Sequence, residues 1–148
     1  MPLRAIVYVS QARAELSLAE LDGLMADATA FNRMAGVTGV LMFDGACFLQ
    51  YLEGPADGLD SVYARVVNAR RHHGLRQLAS ARVQARWFPR WTMASRQIDA
   101  QALAAIVDAP WEGLSLEPAL AGHGFERLLY TWMGGGGELE PAAVSLGS

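Results

Sequence analysis

The chain has 148 residues, 52% of them hydrophobic, and a formal net charge of −3. A chain of this length is one ordinary domain that buries about two-thirds of its unfolded surface and folds without a disulfide or metal. All 12 basic residues are arginine, which excludes Schiff-base lysine chemistry and a lysine-containing P-loop. The acidic balance also argues against direct nucleic-acid binding.

Cysteine and histidine usage adds two further exclusions. Cys47 is the single cysteine, so no disulfide forms within the chain. The apolar run at the N-terminus is too short for an export signal or a membrane span. We therefore expect a cytoplasmic protein without a membrane segment. His72, His73 and His123 lack the spacing of zinc ligands, so no metal site is expected.

The first half of the chain predicts a strand, a helix and a hairpin. Residues 3–9 form a β-rich run, and apolar side chains then recur at helical spacing from Leu18 to Ala28. Residues 38–43 and 47–52 are apolar runs separated by Asp44-Gly45-Ala46, a typical hairpin turn.

The second half predicts a helix over residues 56–70 and strands over residues 75–86 and 90–95. This order is the α+β, ferredoxin-like arrangement β-α-β-β-α-β with a fifth strand. Two helix-like segments follow near residues 101–107 and 119–132. The predicted boundaries are a ligand-binding domain over residues 1–96, a helical extension over 97–133 and a flexible tail over 134–148.

The predicted sheet places the first and third strands side by side at its centre, running parallel, with both helices on one face. Alternation then directs Tyr8 and Gln50 towards the helices, and Cys47, Leu49 and Tyr51 towards the other face. Because that second face is also apolar, we expect the C-terminal helices to cover it, or a homodimer contact to share the task.

No conventional catalytic constellation emerges, but three polar residues fall on otherwise apolar faces. Tyr8 and Gln50 lie on the central strands, and Asn32 lies near the end of the first helix. A glutamine amide has two donors and an acceptor, and a heteroaromatic ligand would satisfy those that Tyr8 leaves over. The same residues are also compatible with a satisfied polar pair in the core and a helix C-cap.

Several motifs together resemble the BLUF domain, the sensors of blue light using FAD, in its short single-domain type. The resemblance covers approximately residues 3 to 96, and the block around the hairpin is its most specific part. The motifs are Tyr8-x-Ser10-x-Ala12, Asn32, Gly36-Val37-Thr38-Gly39, Phe48-Leu49-Gln50-x-Leu52-Glu53-Gly54, Arg71-His72 and Trp91-Thr92-Met93.

The resemblance implies a blue-light receptor that binds FAD non-covalently. Tyr8 would donate an electron and a proton, Gln50 would switch its hydrogen bonds, and Asn32 would hold the imide edge of the flavin. Arg71 and His72 would lie beside the ribityl-phosphate part. Without the resemblance, Arg71 and His72 are interpreted as the last turn of the second helix, where positive charge stabilises the helix dipole; with the resemblance both interpretations stay open.

The resemblance also implies that Trp91 and Met93 belong to an output strand, which we expect beside the first strand. Core packing is the alternative role for both side chains. The signal would pass from the fifth strand and C-terminal region to an unknown downstream protein, and we expect a homo-oligomer that is not an enzyme.

Two other functions fit the same fold, a small flavin-dependent or acylphosphatase-like enzyme and a cofactor-free interaction module. A flavin-thiol adduct on Cys47, as in LOV receptors, is disfavoured because alternation points Cys47 away from Gln50.

Overall fold

The computed structural model describes residues 3–12, 18–67, 72–109, 111, 123–133 and 142–145. The strands form one six-stranded sheet in the order β4-β1-β3-β2-β5-β6, and the predicted ferredoxin-like fold with a fifth strand is confirmed, while the sixth strand was not predicted. The elements are β1 (Leu3–Ala12), α1 (Leu18–Ala35), β2 (Thr38–Phe43), β3 (Cys47–Pro55), α2 (Ala56–Val67), β4 (His72–Val83), β5 (Trp91–Gln97), α3 (Ala100–Val107), α4 (His123–Trp132) and β6 (Ala142–Ser145).

Two strand relationships differ from the sequence prediction. β1 and β3 are neighbours, but they run antiparallel rather than parallel. The crossover through α1 gives β2 the direction of β1, and the hairpin makes β3 antiparallel to β2, so β3 between them opposes both. β5 pairs in parallel with β2 and does not lie beside β1, because β3 and β4 already occupy both edges of β1.

The turn between β2 and β3 forms where the sequence predicts it. The Asp44 carboxylate accepts hydrogen bonds from the backbone N–H groups of Ala46 at 2.8 Å and Cys47 at 2.7 Å. Gly45 adopts a φ of 103°, which an L side chain rarely tolerates. The turn residues therefore fix the register of β3, the strand that carries Gln50.

The sheet buries one apolar cluster on each face, in agreement with the predicted alternation. The helix-side cluster packs beneath α1 and α2, and the opposite-side cluster packs beneath α3 and α4, so the prediction that C-terminal helices cover the second face is confirmed. The helix-side cluster consists of Ile6, Tyr8, Val37, Leu41, Phe43, Phe48, Leu52, Leu59 and Val62. The opposite-side cluster includes Ala5, Val7, Leu49, Tyr51, Phe88, Leu103, Ile106, Leu128 and Trp132.

The C-terminal part departs from the expected irregular tail over residues 134–148. Residues 142–145 form β6, a short edge strand antiparallel to β5. A four-residue strand that pairs on one edge leaves little periodic signal in a sequence. The predicted domain boundaries themselves remain a prediction. None of the helices in the described part of the chain is long and apolar enough to cross a membrane.

Gly39 offers a test of how tightly β2 and β3 pack. A Cβ at Gly39 would overlap the carbonyl oxygen of Tyr51 and stand 3.1 Å from the Cα of Leu52. We predict that Gly39→Ala lowers the free energy of unfolding by about 1–3 kcal/mol through overpacking, measured by urea denaturation. The control is Gly23→Ala in α1, where no atom lies within 4 Å of the added Cβ, and this change gains about 0.5–1 kcal/mol. Equal effects at both glycines would contradict the packing described.

Candidate functional site

The register of the two central strands brings Tyr8 and Gln50 together. The two residues are direct cross-strand partners, and both side chains point to the helix side of the sheet. The Tyr8 hydroxyl donates a hydrogen bond to Oε1 of Gln50. Tyr8 is 3% exposed and Gln50 is 7% exposed. The pair predicted from the sequence is thus a buried, directly hydrogen-bonded unit at the middle of the sheet.

The surroundings of Tyr8 keep its phenol in the neutral form. Burial raises the pKa of Tyr8 far above its ordinary value, and the nearby Tyr63 raises it further. The Tyr63 ring, on α2, meets the Tyr8 ring edge-on at a centroid distance of 5.9 Å. Tyr8 therefore retains a proton that it can give away, together with an electron, when a strong acceptor is present.

Asn32 is held in a fixed place near the end of α1 and is 1% exposed. Its backbone carbonyl accepts a hydrogen bond from the N–H of Val37 at 2.9 Å. Gly36, with a φ of 73°, turns the chain between them and ends the helix. The end of α1 also lies close to α2. A Cβ at Gly58 of α2 would overlap the carbonyl oxygen of Ala35. The structure thus buries Asn32 at the end of α1, and its role towards the flavin remains a prediction.

The other predicted site residues are only partly described. Arg71 lies outside the described residues, and the side chains of His72, Trp91 and Met93 also lie outside them. The backbone of His72 pairs with Ala12 as the first residue of β4, so the alternative interpretation that His72 belongs to the last turn of the second helix is wrong. The described part of that helix is Ala56–Val67, and the roles predicted for Arg71 and His72 remain predictions.

Cys47 stands on the opposite side of the sheet from Gln50. It is partly buried against the opposite-side cluster, as alternation predicts. Burial raises the pKa of its thiol, and the nearby Asp44 carboxylate raises it further. Since the thiolate is the nucleophile, this setting does not favour an adduct. In the described part of the chain, no three His, Cys, Asp or Glu side chains converge on a metal position.

Two polar features were not assigned from the sequence. The Ser10 hydroxyl, two residues after Tyr8 on β1, is buried and has no hydrogen-bond partner among the residues that the structure describes. Glu53 on β3 is completely buried and accepts hydrogen bonds from the backbone of residues 87 and 88. An acidic residue within an apolar strand could have marked Glu53 as unusual. Its hydrogen-bond partners lie 34 and 35 residues further along the chain, and the local sequence pattern does not reveal them.

Comparisons with known proteins agree with this geometry. Residues 3–94 match the model of the BLUF family, sensors of blue-light using FAD. The chain belongs to the BLUF family. It is 33% identical over 94 residues to the photoactivated adenylate cyclase subunit beta of Euglena longa, covering 63% of this chain and 11% of that protein.

Solved BLUF structures have the same fold. The dark-state structure of the BLUF protein BlrB superposes with a TM-score of 0.61 at 28% identity, covering 71% of this chain and 78% of that one. The ground-state structure of BlsA gives a TM-score of 0.66 at 22% identity over 88% of this chain and 86% of that one, a likeness of fold. BLUF domains sense blue light with a flavin, so the matched residues form a sensor rather than a catalytic domain.

The described residues fit a flavin on the helix side of the sheet. Ser10 supplies a buried hydroxyl that finds no partner within the described ranges, and the amides of Asn32 and Gln50 supply both donors and acceptors. The apolar side chains of α1 and α2 that face the helix-side cluster remain only partly buried, which suits a planar ring between the helices. These side chains are Leu24, Met25, Ala28, Phe31, Tyr63 and Val66.

The neutral state of Tyr8 can be tested by alkaline titration of the wild-type protein and Tyr8→Phe. The folded-state pKa lies above the unfolded value of about 10. The resulting stabilisation is therefore present below about pH 10 and is lost as the pH rises towards the folded pKa. We predict that both proteins show the same tyrosinate absorbance near pH 10 while folded, and that in denaturant at that pH they differ by about half a tyrosinate, because an unfolded tyrosine is then half ionised. A difference of about half a tyrosinate between the folded proteins near pH 10 would contradict the burial of Tyr8.

Proposed function

We propose that this chain is a blue-light receptor in which Tyr8 and Gln50 are the photochemical pair beside a non-covalently bound flavin. The observation that carries the proposal is the buried hydrogen bond from the Tyr8 hydroxyl to Oε1 of Gln50. A bound flavin supplies an absorber of blue light whose excited state accepts an electron. The protein supplies a neutral phenol and an amide whose orientation that phenol controls.

The reaction at these two residues requires no lasting change in covalent bonding. In darkness the phenolic proton of Tyr8 is held at Oε1 of Gln50, which orients the amide. After illumination Tyr8 would give an electron and this proton to the photoexcited flavin, so Gln50 would lose the bond that orients it. The Gln50 amide would then be able to rotate or tautomerise and to donate a new hydrogen bond towards the flavin ring. When the electron and proton return to Tyr8, the new arrangement of Gln50 persists until thermal recovery.

The remaining binding roles extend from the ring to the phosphate end of the cofactor. We assign the imide edge of the flavin to Asn32 and the ribityl-phosphate part to Arg71 and His72, since a guanidinium binds phosphate oxygens in a planar fork. The family description favours FAD over FMN as the cofactor. Mass spectrometry of the nucleotide released on denaturation distinguishes the two.

The output is assigned to β5, which carries Trp91 and Met93, and to the C-terminal helices. β5 pairs with β2 on one edge and β6 on the other, and so joins the sensor sheet to the C-terminal part of the chain. We propose that a change here alters contacts with a downstream protein, and that the receptor acts as a homo-oligomer in the cytoplasm. Size measurement in darkness and in light tests the oligomer.

We predict that Gln50→Leu and Tyr8→Phe each abolish the reversible, light-induced red shift of the flavin spectrum while flavin stays bound. Leucine has no amide to rearrange, and phenylalanine has no hydroxyl to donate. Tyr8→Phe also leaves Oε1 of Gln50 without its phenol donor, so the free energy of unfolding falls by about 1–3 kcal/mol. Visible absorption before and after blue light is the measurement.

The matched control for these variants is Gln77→Leu. Gln77 is the cross-strand neighbour of Tyr8 on β4, but its side chain is exposed. The Gln77→Leu substitution makes the same amide-to-leucine change beside Tyr8, but at an exposed side chain. It should therefore leave the red shift intact. A normal red shift in Gln50→Leu or Tyr8→Phe would contradict the assignment of Tyr8 and Gln50 as the photochemical pair.

A further inference from the structure

β3 carries a second buried polar site on the face opposite the photochemical pair. Gln50 points to the helix side, whereas Tyr51 and Glu53 point to the side covered by α3 and α4. Glu53 is 0% exposed. A carboxylate is buried at high cost unless hydrogen bonds satisfy it, so its contacts show what the residue holds in place.

The Glu53 carboxylate binds two successive backbone N–H groups of the connection between β4 and β5. Oε1 accepts hydrogen bonds from the N–H of Trp87 at 2.8 Å and from the hydroxyl of Tyr51 at 2.9 Å. Oε2 accepts from the N–H of Phe88 at 2.6 Å, and the Thr38 hydroxyl lies 3.5 Å away. Four donors converge on one carboxylate, which therefore ties the β4–β5 connection to β3.

Arg86 joins the same site to the end of α1. Its guanidinium donates to the carbonyl oxygen of Gly36 at 2.6 Å, to the Thr38 hydroxyl at 2.9 Å and to the backbone carbonyl of Glu53 at 3.4 Å. Burial raises the pKa of Glu53, and the backbone N–H donors, the tyrosine hydroxyl and the Arg86 charge oppose that rise. Gly36 lies four residues after Asn32, so the end of α1, the helix that carries Asn32, and the β4–β5 connection share one hydrogen-bond network.

The Phe88 ring continues from this network to α4. It contacts the Tyr51 ring edge-on at 5.4 Å between centroids and the Trp132 ring edge-on at 6.1 Å. Trp132 is the last residue of α4, and its carbonyl oxygen accepts a hydrogen bond from the buried Arg96 of β5 at 3.1 Å. The end of α4 is thus held from two sides, by the β4–β5 connection and by β5.

We propose that Glu53 is the positioning residue that couples the Tyr8–Gln50 site to α4, by holding Phe88 against Trp132; this inference rests on the proposed function. A rearrangement of Gln50 displaces β3, and the carboxylate makes the backbone at residues 87 and 88 follow. Phe88 then transmits the displacement to the end of α4. The coupling crosses the sheet through a single strand, from one apolar cluster to the other.

The test is Glu53→Gln in the full chain with flavin bound. The amide replaces one acceptor oxygen with an NH₂ donor, which cannot accept from a backbone N–H. We expect the amides of residues 87 and 88 to exchange hydrogen about tenfold faster in darkness, the equivalent of one lost hydrogen bond. We further expect the flavin red shift to be retained and the light-induced change in hydrogen exchange of α4 to be lost.

Two further variants separate coupling from a general structural role. Asp60→Asn makes the same carboxylate-to-amide change at an exposed position of α2 and should keep both light responses. Phe88→Leu keeps an apolar side chain but removes the ring between Tyr51 and Trp132. It should retain the red shift and lose the α4 response. In the double variant Glu53→Gln/Phe88→Leu, the loss of the light-induced change in hydrogen exchange of α4 should be no greater than in either single variant, because both residues act on one route.

The outcomes distinguish this inference from the proposed function. Absence of a red shift in the wild-type protein would refute the proposed function. A normal red shift without any wild-type change in α4, or a normal α4 response in Glu53→Gln, would overturn the coupling. Loss of the red shift itself in Glu53→Gln would also overturn it, since Glu53 would then act on the photochemical site. If Glu53→Gln fails to fold, a normal α4 response in Phe88→Leu overturns the proposal.

Discussion

The direct cross-strand pairing of Tyr8 with Gln50 is the constraint on which the rest of the molecule depends. An antiparallel register fixes which two side chains meet, and the two crossover helices place that meeting point at the centre of the sheet. Burial there keeps the phenol neutral and makes its hydrogen bond to the amide costly to lose. A small change at one amide is therefore a large change in local free energy, so that a change confined to hydrogen bonds has an effect beyond the site.

In the proposed mechanism the two faces of β3 divide sensing from output. The helix side carries the amide proposed to respond to light, and the opposite side carries a carboxylate that holds the β4–β5 connection, the start of the proposed output region. Because successive residues of a strand alternate between faces, a displacement of one strand is felt on both sides without a moving hinge. The aromatic contact between Phe88 and Trp132 extends this arrangement to the last turn of a C-terminal helix.

Local pattern predicted most of the fold and the central pair. Alternation placed Tyr8 and Gln50 on one face, and the Asp44 turn marked the hairpin. Strand direction was predicted wrongly because it follows from the combined sense of crossover and hairpin, which no single segment displays. β6 was missed because four residues on a sheet edge need not alternate. Glu53 went unassigned because its partners lie more than thirty positions away and are backbone groups, which a sequence does not distinguish.

The most direct measurement of the central claim is the visible absorption spectrum of the purified wild-type protein in darkness, directly after blue light and during recovery. The account predicts an oxidised flavin spectrum that shifts slightly to the red in light and returns in darkness, because only hydrogen bonds around the ring change. Bleaching to a single near-ultraviolet band would indicate a covalent adduct, and a spectrum with no flavin or no response to light would contradict the account.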